Sequence, residues 1–107
     1  MCYALSNNAA DEIDLSGNLP ANKTRSLFEP AIEAFIAGQS IEVGFHFGLG
    51  TINIIIYNET GSIDYQQSIG TYAGQNLIID ISSLNEGIYT IMFVNAQGQY
   101  LSGVFEI

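Results

Sequence analysis

From residue 31 onward, apolar and polar positions alternate in short runs. Ile41, Val43, Phe45 and Phe47 interleave with Glu42, Gly44 and His46, the period of two that marks a half-buried strand. This run predicts a strand with its odd residues in the core. Ile52, Ile54 and Ile56 alternate with Asn53, Ile55 and Tyr57; Leu77, Ile79 and Ile81 with Ile78, Asp80 and Ser82; Tyr89, Ile91 and Phe93 with Thr90, Met92 and Val94. Leu101, Phe105 and Ile107 share a face at the end of the chain. Residues 31–36 also suit a short helix after Pro30, but Gly38 stops the run and another strand follows, so a strand is expected. Residues 1–23 are a polar lead, partly disordered or the remnant of a signal, with Ile13 and Leu15 spaced to allow a short edge strand at 12–16. The domain proper is expected over 24–107.

The turn chemistry agrees with strands. Asn58-Glu59-Thr60-Gly61 and Asn95-Ala96-Gln97-Gly98 each follow an apolar strand. Asn first and Gly fourth suit a type I turn closed by a left-handed glycine, which gives Gly61 and Gly98 structural roles in two hairpins of one design. Further turns are expected at 48–50, 70–74 and 84–87. About seven strands at roughly ten-residue spacing predict an all-β, immunoglobulin-like β-sandwich of antiparallel strands. Tyr89 heads a strand after Leu84-Asn85-Glu86-Gly87-Ile88, the placement of a tyrosine corner, whose hydroxyl bonds back to nearby backbone. Cys2 is the single cysteine and there is no Trp, so the sandwich is expected without a disulfide.

Composition narrows the function classes. The chain has 107 residues, with 11 acidic and two basic side chains and a net charge of −9. Phosphate binding needs several Lys or Arg, and only Lys23 and Arg25 exist, so nucleic acid is excluded as a partner and anionic membrane surfaces would repel the chain. No apolar run approaches the ~20 residues of a membrane span. The Asp11, Glu12, Asp14 cluster lacks the ligand spacing of a calcium loop and reads as a solvated face. No paired His or Cys suggests a metal, no glycine-rich loop precedes a helix, and no nucleophile motif occurs. Catalytic, cofactor and metal sites are therefore all expected to be absent. His46, the only His, should point outward from its strand. Tyr65, Tyr72 and Tyr100 are the candidate binding aromatics, each pairing an apolar ring with a polar tip. Asn22-Lys23-Thr24 and Asn58-Glu59-Thr60 fit the glycosylation acceptor pattern by chance, and Asn58 already has a turn role.

Two resemblances follow. Arg25-Ser26, Pro30-Ala31-Ile32-Glu33-Ala34, the 41–47 strand, Ile54-Ile55-Ile56-Tyr57-Asn58 with Gly61, Gly87-Ile88-Tyr89 and the ending 100–107 resemble the small secreted Bacteroidetes domain of unknown function with an immunoglobulin-like sandwich. That resemblance implies export and no catalytic residues. Residues 51–95, with Ile79-Asp80-Ile81-Ser82-Ser83-Leu84-Asn85-Glu86-Gly87, are similar to C-terminal sorting domains of the same bacteria, although those end in a Lys-rich strand and this chain ends Val104-Phe105-Glu106-Ile107. Cys2 is read as signal remnant, lipid anchor or incidental thiol. The expectation is an exported, periplasmic, cell-surface or secreted monomer that binds a protein or glycan at the cell envelope through loops 48–51 and 70–76. The alternatives are assembly through a free edge of the last strand and a sorting role.

Overall fold

The computed structural model describes residues 11–19 and 31–107. Cys2, Ala4, Asn22, Lys23, Arg25 and Pro30 lie outside the described residues. Nine strands follow in order: β1 (Asp11–Ile13), β2 (Ser16–Gly17), β3 (Ile32–Ala37), β4 (Ser40–Phe45), β5 (Gly50–Tyr57), β6 (Ile63–Thr71), β7 (Gln75–Asp80), β8 (Ile88–Asn95) and β9 (Tyr100–Glu106). They form two antiparallel sheets, one of order β1-β3-β4-β7 and one of order β2-β9-β8-β5-β6. No helix among the described residues is long and apolar enough to cross a membrane.

The alternation in sequence becomes the two inner faces. Ile32, Ala34, Ile41, Val43, Phe45 and Ile79 of the first sheet meet Ile52, Ile54, Ile56, Ile91 and Phe93 of the second, all buried. Phe45 and Phe93 cross the gap edge to face, with ring centroids 6.5 Å apart. Burying such side chains contributes roughly 1.5–3 kcal/mol each. Tyr89 stacks on Phe105 at 5.5 Å, and its hydroxyl donates to the Asn85 carbonyl at 2.7 Å. The two Asn-to-Gly turns share one geometry. Gly61 N–H donates to Asn58 O at 2.9 Å and Gly98 N–H to Asn95 O at 3.1 Å. Both glycines have positive φ, +89° and +84°, where a side chain would be strained. Each Asn carboxamide oxygen also accepts backbone N–H bonds inside its turn.

Two features depart from the pattern. Residues 12–16, expected as at most one edge strand, form two. β1 pairs with β3 in one sheet and β2 with β9 in the other, so the chain crosses between the sheets at Asp14-Leu15 and closes that side of the sandwich. The last strand therefore has β8 along one edge and β2 against Leu101 and Ser102 on the other, which covers the free edge expected there only at its start. The second departure is β6. It gives no alternation signal because none of its nine residues is buried, and the turn expected at 70–74 begins only at Tyr72.

Candidate functional site: the outer face of the first sheet

Strand register assembles a site that the sequence does not display. Glu33 of β3 lies opposite Gly44 of β4, which lies opposite Asn76 of β7. In the next row Glu12, Phe35, Glu42 and Ile78 stand side by side. These positions face away from the core, because side chains alternate along each strand. Gly44 has no side chain, so the face dips there. The result is an open depression of about 220 Å³ floored by Gly44 and bordered by Glu33, Phe35, Glu42, His46 and Asn76.

His46 follows β4, and its backbone N–H donates to Ala31 O at 2.9 Å, continuing the β3–β4 pairing by one residue. This sets the imidazole beside Glu33, and Nε2–H donates to Glu33 Oε1 at 2.9 Å. Side-chain exposures of 40% and 33% make the pair a surface contact, worth at most about 1 kcal/mol to stability. The sequence places His46 outward, as found, but offers no partner for it; the partner sits 13 residues earlier and is brought in by the β3–β4 hairpin.

The depression presents carboxylate acceptors, a carboxamide that both donates and accepts, an imidazole and an aromatic ring. Its lining holds no hydroxyl, thiol or amine side chain; its ionisable groups are the Glu33 and Glu42 carboxylates and the His46 imidazole. Among the described residues, no cluster of three or more His, Cys, Asp or Glu could hold a metal ion.

Loop 70–76 forms one wall of this depression through Gly74, Gln75 and Asn76. It is tied to the 48–51 loop, where Leu49 N–H donates to Thr71 Oγ1 at 2.7 Å and the Thr71 hydroxyl donates to Gly50 O at 2.7 Å, and to the end of β4, where Gly74 N–H donates to Phe45 O at 2.8 Å. Both candidate loops thus meet at one end of the sandwich. Tyr72 lies at that end and is 64% exposed, and Tyr100 is 39% exposed at the same end. They stand three strand steps apart across the second sheet, roughly 14 Å at the usual inter-strand spacing. Tyr65 belongs to the other half of β6, opposite Ile56. Its hydroxyl donates to the Gln67 carboxamide, and partial burial pushes its phenol above the ordinary value. The three tyrosines therefore form no single cluster. Asn76 closes the 70–76 segment named as a candidate binding loop; Phe35 and Glu42 were not singled out by sequence.

Comparison with known proteins agrees with the architecture. A solved structure, described as the crystal structure of a DUF3244 family protein with an immunoglobulin-like β-sandwich fold from Bacteroides vulgatus, superposes with a TM-score of 0.78 at 16% identity, covering 92% of this chain and 99% of that one. None of the curated proteins matches, and no catalytic family is indicated. Residues 12–107 match the family described as "Domain of unknown function (DUF3244)", so the match begins inside β1 and takes in every later strand: the chain belongs to the DUF3244 family and has its immunoglobulin-like β-sandwich fold.

Proposed function

We propose that this domain is an exported, non-enzymatic binding module that holds a protein or glycan partner at the bacterial cell envelope, using the outer face of the first sheet. The observation that carries the reading is the depression over Gly44, where Phe35 and four polar side chains converge on a surface that is open to solvent. An aromatic wall beside acceptors and a carboxamide suits a ligand with hydroxyl or amino donors, and a shallow open dip suits binding more than chemistry that must exclude water. The rigid sheet fixes these side chains, and loop 70–76 extends the surface. Export is supported by the resemblance to secreted domains.

The test fills the dip. A Cβ at Gly44 would make only an ordinary 3.5 Å contact with Asn76 Oδ1, so the position admits a side chain and Gly44→Leu directs one into the depression. Wild type and variant would be screened against a glycan array and a library of tiled envelope-protein peptides. Wild type should bind a discrete set of probes, and Gly44→Leu should lose them by about tenfold or more in affinity at unchanged melting temperature, the scale of one blocked contact region. Equal binding by both proteins, or no bound probe in either panel, would overturn the reading.

A further inference from the structure

The second sheet has five strands and faces a sheet of four. Its last strand, β6, overhangs: every one of its nine residues is exposed or half-exposed, including inward-directed Gln67. Among the described residues no strand pairs with the outer edge of β6. Beyond Asp64 the edge is also uncharged. No Asp, Glu, Lys or Arg occurs between Asp64 and Asp80 in a chain of net charge −9. Soluble proteins usually guard a long edge strand with Lys, Pro or an inward charge. From Tyr65 to Thr71 β6 carries none of these.

We propose that β6 pairs antiparallel with β6 of a second copy, joining the two five-stranded sheets into one across a two-fold axis, in place of the monomer expected from sequence. The occupant follows from charge. Two copies each at −9 can meet only where carboxylates are not brought together, and the strip between Asp64 and Asp80 provides that. A basic partner would be drawn instead to the glutamate-bearing face of the first sheet. The axis passes through Gln67, the middle of the strand, because that register pairs the regular stretch from Tyr65 to Ile69; the bulge at Asp64 in the pairing with β5 lies outside it. It sets Tyr65 against Ile69 of the other copy on the inner face, an aromatic–β-branched pair of the kind that stabilises sheets. It sets Gln66 against Ser68 on the outer face and leaves the two Asp64 residues at opposite ends of the pairing, so their carboxylates stay apart. Half-buried Tyr65 and Ile69 would be covered, and the unpaired edge groups would be satisfied. The interface is isologous and closes at two copies.

The experiment is sedimentation equilibrium of the full chain from micromolar to about millimolar concentration, at low and high salt. A monomer–dimer equilibrium that tightens as salt rises is expected, because screening weakens repulsion between the acidic copies. Gln67→Lys places two like charges face to face on the axis and should weaken dimerisation about tenfold or more, with an unchanged circular dichroism spectrum. Gln67→Cys in a Cys2→Ala background should oxidise to a covalent dimer, since paired strands hold opposed positions within disulfide reach. The proposal is overturned by a monomer at every concentration, by a dimer that Gln67→Lys leaves equally tight, or by Gln67→Cys cross-linking no faster than Glu86→Cys. Protection of β6 amides only after adding an unrelated extended peptide would also overturn it.

Discussion

The two sides of the sandwich are finished in opposite ways. On one side the N-terminal strands strap the sheets together. β1 and β2 contribute three and two residues of strand, so few ladder bonds hold them. They are fixed instead by Ile13 and Leu19, both buried, and by exchanges between Asn18 and Tyr100: Asn18 and Leu19 N–H donate to Tyr100 O, and Tyr100 N–H donates to Asn18 Oδ1. On the other side β6 and β7 end their sheets with no such cover among the described residues. A sandwich needs both inner faces filled, but its lateral edges are satisfied separately. One side here is strapped within the chain, and the other ends in strands that no further strand covers among the described residues.

The sharpest way to break the comparison is at Gly103. The strap crosses between sheets directly over this residue, and a Cβ there would lie 2.4 Å from Asp14 O and 2.8 Å from Ile13 Cγ2. Gly103→Val should push the strap off, at a cost of about 2–3 kcal/mol typical of overpacking, measured by urea unfolding. Amides of β1 and β2 should lose hydrogen-exchange protection while those of β6 stay as they were. A loss below about 0.5 kcal/mol would mean that the crossing does not depend on backbone closeness.

The two matched turns sharpen the contrast. Asn58 and Asn95 make the same internal bonds, but the Asn58 turn leads into β6 and the Asn95 turn into β9, which carries Phe105 and receives the strap. Asn95→Ala should therefore lower global stability by about 1 kcal/mol, the net worth of a hydrogen bond or two. Asn58→Ala, studied in dilute solution, should leave global stability nearly unchanged and speed exchange in β6 alone, as local opening of a low-stability edge would. Equal global losses in the two variants would show that β6 is as integral to the sandwich as β9.

The same contrast explains what could be read from the sequence. Strands β4, β7 and β8 were legible because their buried residues fall on one face only, and β5 because Ile52, Ile54 and Ile56 keep the same period although Ile55 is buried on the other face. Asn58-Gly61 and Asn95-Gly98 were legible because a left-handed fourth position needs glycine. β6 was not, since its inner face is only half-buried at Tyr65 and Ile69 and the polar Gln67 between them breaks the alternation. The strap was legible only as Ile13 and Leu15; what makes it cross, the missing side chain at Gly103, is a meeting of residues some ninety positions apart. The candidate site was hidden for the same reason. His46 announces an outward strand position, but Glu33, Gly44 and Asn76 fall into one row only through the pairing of three strands.

The smallest expected effect lies at the end of the open side, on Asp80. Its carboxylate accepts the Ser82 N–H at 2.9 Å, where the chain leaves β7. This backbone bond, with a side-chain bond from Ser82, holds Asp80 below the ordinary carboxylate value. The group is fully exposed, so the contribution is small and salt-sensitive. A carboxylate whose folded value is lowered stabilises the fold above its unfolded value, about 3.9, and loses that contribution as pH falls through the lowered folded value. Acid also discharges the other carboxylates of a −9 chain, relieving repulsion, so the wild-type curve alone would mask the effect. Asp80→Asn keeps an oxygen for the Ser82 bond but cannot titrate. The stability of wild type minus that of Asp80→Asn should be small, positive and flat near neutrality, then shrink below about pH 4. A difference that stays constant through that window would show that the Ser82 bonds do not depend on the charge of Asp80.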